Sequence, residues 1–200
     1  MKTINDKSKY NIAYRGKMFE VITWEPKPGV TFEVAVRAPG VRLIIETEKQ
    51  GSKALLMSRE IRYEQAGPVT DYRLPGGKVF DRLDDLNTHR ESGDDILPIA
   101  ENAAQKEAFE EVGVTGGTYE FLETTTAGTS VEWDLHYFKV TNAEIGEQNL
   151  EEHEQGDIET VILSPFEIFE KLKNREIREG RSADMLWCWL VENGFVGFKE

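Results

Sequence analysis

The segment that most restricts how this chain can fold is Ile99 to Val112, IAENAAQKEAFEEV, which is rich in alanine and glutamate, has no interior glycine or proline, and stops at Gly113. Such a run is helical on propensity alone. Pro98 suits the first turn, and Gly113 is an ordinary C-terminal stop. Residues three and four apart share a helical face. At about 100° per residue, Glu107, Glu110 and Glu111 therefore fall within an arc of roughly 100°. Ala108, Phe109 and Val112 take much of the other side and are expected to bury against a sheet. Ala103 and Ala104, one turn earlier, are small enough for a neighbouring backbone to come close.

Strands surround this helix. Tyr14 to Trp24 and Thr31 to Arg37 are β-branched and aromatic with partial alternation, and Pro26, Pro28 and Gly29 separate them. Val41 to Thr47 and Lys53 to Met57 are short apolar strands about a turn at Gly51. A loop with Gly67 and Pro68 follows, then a glycine turn, Leu74-Pro75-Gly76-Gly77-Lys78-Val79, entering a short strand. Asp81 to Gly93 is polar, without a clear period, and reads as an inserted loop or short helix. Beyond the long helix come strands at Tyr119–Thr124 and Val131–Thr141, an acidic loop over Asn142–Gly156, a strand at Thr160–Leu163, and helices at Pro165–Lys173 and Ala183–Glu192. This order predicts an α+β fold, a mixed sheet held between helices, not a repeating βαβ unit. Residues 1–40 form a small β subdomain ahead of a main domain over 41–200.

The 200 residues carry a formal net charge of −13, which argues against a nucleic-acid partner because that needs a basic footprint. An acidic chain that handles phosphates requires cations to bridge two negative partners. No stretch has the 18 or so uninterrupted apolar residues of a membrane span, and the first residues lack the apolar core of a secretory signal. The single cysteine, Cys188, excludes an intramolecular disulfide and fits a reducing cytoplasm. Lying in an apolar run, it reads as a buried packing residue.

Three carboxylates on one arc repel one another, and more strongly when partly buried. A hard cation with oxygen ligands removes that penalty. Gly76-Gly77 ahead of the helix lets backbone approach a metal or phosphate, since no Cβ intervenes. The ordered set LPGGKV, then AAQKEAFEEVGV, with flanking strands, is therefore read as a divalent-metal site beside a phosphate, against the alternative of a solvated acidic face.

At these residues the chain resembles the Nudix hydrolases, whose box ends Arg-Glu-aliphatic-x-Glu-Glu-x-Gly-aliphatic. Here that half reads Lys106-Glu107-Ala108-Phe109-Glu110-Glu111-Val112-Gly113-Val114, with Gly77 as the opening glycine. The resemblance implies a Nudix-type α/β/α sandwich. It implies two to three Mg²⁺ (or Mn²⁺) ions held by Glu107, Glu110, Glu111 and the carbonyl of Gly76. The box departs from the family in three places. Its arginine is Lys106, which keeps the charge but loses the planar fork. The spacer after Gly77 is long, extended by an insertion over Asp81–Pro98. The first glutamate has no clean match, with Gly93-Asp94-Asp95 or Glu101 in its place.

The sequence is also similar to the ADP-ribose and nucleotide-sugar pyrophosphatase branch. That similarity implies N-terminal strands that form a homodimer, and a substrate arginine before the box, here Arg62; Arg59 is expected either to join it on phosphate or to be a solvated strand-end arginine. It also implies a base from the acidic loop: Glu154, with Glu152 second, and Glu110 beside the metals. The implied reaction cleaves a nucleoside diphosphate sugar into a nucleoside monophosphate and a sugar phosphate. Lys106 and the missing glutamate motivate an alternative, a nucleotide-sensing module that no longer hydrolyses. Removal of a diphosphate from an RNA 5′ end fits the charge poorly. Arg73 is expected either to join the site or to form a structural ion pair. His136 reads as a core or edge histidine, His153 as solvated, and Tyr14, Phe19 and Trp24 as packing residues.

Overall fold

The computed structural model describes residues 10–152 and 154–197; His153 lies outside the described residues. A small sheet is ordered β1-β2-β3-β8, with β1 (Asn11–Arg15), β2 (Phe19–Lys27), β3 (Val30–Arg37) and β8 (Val131–Glu132). The main sheet is ordered β10-β5-β4-β9-β7, with β4 (Gly40–Lys49), β5 (Ser52–Glu64), β7 (Val114–Thr125), β9 (Leu135–Ile145) and β10 (Ile158–Leu163), and with β6 (Gly67–Arg73) paired to β5. Both sheets are mixed: β3 runs parallel to β8 and β4 parallel to β9, while the other pairings are antiparallel. The helices are α1 (Leu83–Ser92), α2 (Leu97–Val112), α3 (Pro165–Lys173) and α4 (Gly180–Glu192). This is the expected α+β sandwich. Among the described residues no helix is long and apolar enough to cross a membrane.

Both faces of the main sheet are covered, which explains why its strands read as apolar runs with little alternation. Leu43, Ile45 and Leu56 pack under α2, whereas Ile44, Leu55 and Met57 pack under α3 and α4. Helix α2 meets the sheet through Ala100, Ala104, Ala108 and Val112, all inaccessible to solvent and four residues apart. Small side chains along that line bring the helix close to the strands. Phe109, expected to bury, is instead exposed at the edge of this stripe.

Two chain segments cross from the small sheet to the main sheet side by side. One is β3 to β4 through Ala38-Pro39; the other is β8 to β9 through Trp133-Asp134, stitched by a bond from the Gly40 amide to the Asp134 carbonyl at 2.9 Å. The run Val131–Thr141, read as one strand, is therefore two strands in different sheets. The Gly67-Pro68 stretch, read as a loop, is strand β6, paired from Gly67 to Arg73 with β5. Its proline sits next to a hairpin turn, where a missing amide costs little. The inserted segment contains α1, whose Leu83 and Leu86 bury against Ala38 and whose Arg90 pairs with Glu132 of β8.

Helix α4 buries Ser182, Met185, Leu186, Trp189 and Leu190. Cys188 falls off that stripe and is exposed, so the apolar run around it did not make it a packing residue. His136 is buried, with Nδ1 at 2.8 Å from the Thr124 hydroxyl, as expected of a core histidine.

The alanine stripe gives a direct test of the α2 contact. Enlarging a fully packed position costs about 1–3 kcal/mol, so Ala104→Leu should lower the unfolding free energy by that amount and move the urea midpoint down without changing the slope. An unchanged midpoint would mean that α2 does not sit this close to the sheet.

Candidate active site

The glycine turn runs beside the start of β4. The Val41 amide donates to the Gly77 carbonyl at 3.0 Å, Leu43 to Pro75 at 2.9 Å, and Val79 to Pro39 at 2.9 Å. Gly76 has φ +139°, and a Cβ built there would lie 2.2 Å from the Val41 carbonyl oxygen. A Cβ on Gly77 would lie 2.2 Å from Glu107 Oε1. At Gly76 the backbone is wedged against β4 and has no room for a side chain, whereas at Gly77 the contact is with the movable end of Glu107. The Gly76 amide donates to Glu111 Oε2 at 2.7 Å, and its carbonyl accepts from Arg42 Nη1 at 2.7 Å.

Glu107, Glu110 and Glu111 line one wall of a cleft of about 340 Å³. Burial pushes the Glu107 carboxyl above its ordinary range, and Glu110 adds to the effect. Burial raises Glu111 to about 8, Glu60 and Glu107 reinforcing it and the Gly76 amide and Arg42 opposing it. The facing wall comes from β5 and β6. Glu60 and Arg62 alternate onto the cleft side, with Arg62 Nη1 3.3 Å from Glu60 Oε2. Arg73 pairs with Asp71 at 3.1 Å and Glu60 at 3.5 Å, not with the helix carboxylates, and it too lines the cleft.

Arg59, on the opposite alternation, is engaged with Glu159 of β10 at 2.7 Å and is not among the side chains lining the cleft. The acidic loop reaches the site because its backbone and side chains satisfy orphan carbonyls at the end of α2. The Asn149 amide donates to the Glu110 carbonyl at 3.0 Å, and the Gln148 side chain to that of Glu111. This brings Glu151 and Glu154 to the cleft, while Glu152 is exposed and outside its lining. Lys106 projects into solvent and pairs with Glu110 at 3.2 Å. Of the substitutes for the first glutamate, Asp95 accepts from the Leu97 amide at the start of α2, and Glu101 accepts from Gln105 on the surface. None of these lines the cleft.

Reading the sequence did not single out Arg37, Arg42, Glu60, Trp133 or Glu151, all of which line the cleft. For Arg42 a signal existed: a charged residue inside the apolar run VRLIIE. Arg37, at the end of β3, lies 4.5 Å from the Trp133 ring centroid and 5.5 Å from that of Phe19. Among the described residues its buried Nε has no hydrogen-bond partner. Burial pushes its pKa down, and the nearby Arg62, Arg181 and Arg73 add to this. A crowded guanidinium with an unsatisfied donor is built to meet an anion.

The acidic wall offers only hard oxygen donors, which fit Mg²⁺ or Mn²⁺ in kind. As the side chains stand, no three acidic, histidine or cysteine groups among the described residues close around one point. Glu111 is turned to the Gly76 amide and Glu110 to Lys106.

A carboxyl whose folded pKa is raised stabilises the fold only while protonated. In chelator, stability should therefore fall as pH rises from the ordinary glutamate value of about 4.3 to about 8 for Glu111. Thermal unfolding with and without Mg²⁺ across that range checks this, and the stabilisation by Mg²⁺ should grow with pH. A gain that is flat with pH would disconnect the cation from these carboxylates.

No family model matches the chain, and no curated protein sequence matches it. Among solved structures, the fold is similar to that of a crystal structure described as an ADP compounds hydrolase, with a TM-score of 0.63, 18% identity and 94% of each chain covered. At that identity the likeness is one of fold, and it extends over the small sheet as well as the sandwich.

Proposed function

We propose that this chain is a metal-dependent hydrolase of the pyrophosphate bond in a nucleoside diphosphate sugar of the ADP-ribose or GDP-mannose type. It would release a nucleoside monophosphate and a sugar phosphate. The observation that carries the reading is the meeting of opposite charges across one cleft: half-buried carboxylates of α2 on one wall, and Arg37, Arg62 and Arg73 with Glu60 on the other. A diphosphate needs both, cations beside the carboxylates and guanidinium groups for its remaining oxygens. The hydrolase named for the fold neighbour acts on ADP compounds, which favours this substrate class.

In this reading Glu107, Glu110, Glu111 and the Gly76 carbonyl hold two to three Mg²⁺ or Mn²⁺ ions. Bound there, the ions supply charge to the diphosphate and activate water. Glu154, which lines the cleft, is the base that orients the attacking water and takes its proton; Glu151 stands beside it, ahead of the exposed Glu152. Arg62 and Arg37 hold phosphate oxygens. Arg59, committed to Glu159, has no part in this. The exposed Ile12, Tyr14, Phe19 and Phe32 of the small sheet support a homodimer formed through the N-terminal strands. Its setting would be the cytoplasm.

The test is turnover of ADP-ribose, GDP-mannose and UDP-glucose with Mg²⁺, read by product identity. A nucleoside monophosphate and a sugar phosphate should appear, and chelator should abolish them. Tight ligand binding without product would instead support the sensing module. Glu111→Gln should lower turnover by orders of magnitude while the circular dichroism spectrum is retained. Charge-assisted hydrogen bonds contribute about 1.5–3 kcal/mol, so Arg37→Met should raise KM roughly 10- to 100-fold. An unchanged KM would remove Arg37 from the substrate site.

A further inference from the structure

Arg42 is the one charged residue inside the apolar opening of β4, and it is buried. Its Nη1 donates to the carbonyls of Val41 at 2.8 Å and Gly76 at 2.7 Å. No hydrogen bond or ion pair joins it to a carboxylate among the described residues. A buried guanidinium without a paired anion is costly, and burial does push its pKa down, with Arg73 adding to this. What offsets the cost is the surrounding field. Glu111 and Glu60 stabilise the charge of Arg42, and Arg42 in turn favours the ionised forms of Glu111 and Glu107.

Lys106, on α2, is exposed, pairs with Glu110 and also favours the ionised form of Glu107. The buried positive charge behind the carboxylate wall comes from the sheet. Gly76 links the two, its amide on Glu111 and its carbonyl on Arg42.

We propose that Arg42 is a resident cation of the cleft, a positioning residue whose fixed charge does part of what a divalent ion does and so sets how tightly such an ion is held. The inference rests on the reading that the cleft binds divalent cations. Arg42→Gln keeps a polar amide and removes the charge, whereas Arg42→Lys keeps the charge and loses the fork.

The experiment is calorimetric titration of Mn²⁺ into the full-length protein without nucleotide. The Gln variant should bind Mn²⁺ roughly tenfold more tightly than the wild type, the order expected when one unit charge leaves a partly buried site. The Lys variant should stay within about twofold of the wild type on the same reasoning. A purely structural role would lower the thermal midpoint of both variants and leave Mn²⁺ affinity equal or weaker. That result in the Gln variant overturns the proposal. If the Gln variant is unfolded in chelator, Mn²⁺ must restore its circular dichroism spectrum, and failure to do so also overturns it. A wild type that takes up no Mn²⁺ overturns the cation reading itself and this inference with it. Uptake by the wild type with no tightening in the Gln variant overturns this inference alone.

Discussion

The wedge of Gly76-Gly77 between β4 and α2 is the contact on which the rest of the site depends. Helix α2 lies close to the sheet because its buried line is Ala100, Ala104 and Ala108, and the glycine turn fits against β4 because Gly76 carries no Cβ. One residue then couples both sides, Gly76 giving its amide to Glu111 and its carbonyl to Arg42. Larger groups on the alanine line or at the turn would separate the carboxylate wall from the strands that carry the arginines.

The electrostatics follow from that closeness. Glu111 and Glu107 are drawn out of water next to other carboxylates, and both are pushed toward the neutral form. Arg37 is pushed the opposite way, out of water among other arginines. Burial leaves the α2 carboxylates short of positive charge and Arg37 short of an anion, while Arg62 and Arg73 are already paired with Glu60 and Asp71. A ligand bringing both phosphate oxygens and cations would relieve the groups left short on both sides, in keeping with the proposed diphosphate site.

Much of the scaffold was legible in the sequence. The helix over 99–112 was set by its propensity and its glycine stop, and the helix read at Pro165–Lys173 is α3 at those bounds. The glutamate arc followed from helical periodicity. Three features were hidden because their causes are not local. Strand β6 is held by pairing with β5 despite its proline, Val131–Thr141 is split by the passage between two sheets, and Cys188 is exposed by the angle at which α4 packs.

The sequence by itself determined which groups lie on one face of α2 and where the backbone must be free of side chains, since both follow from the geometry of a few consecutive residues. Only the tertiary structure decided what those groups meet. Strand alternation sends Arg62 into the cleft and Arg59 to Glu159, the docking of the acidic loop on the end of α2 selects Glu151 and Glu154 over Glu152, and strand crossover brings Arg37 from the small sheet. These placements depend on register and on contacts between segments far apart in the chain, which spacing along the sequence does not encode.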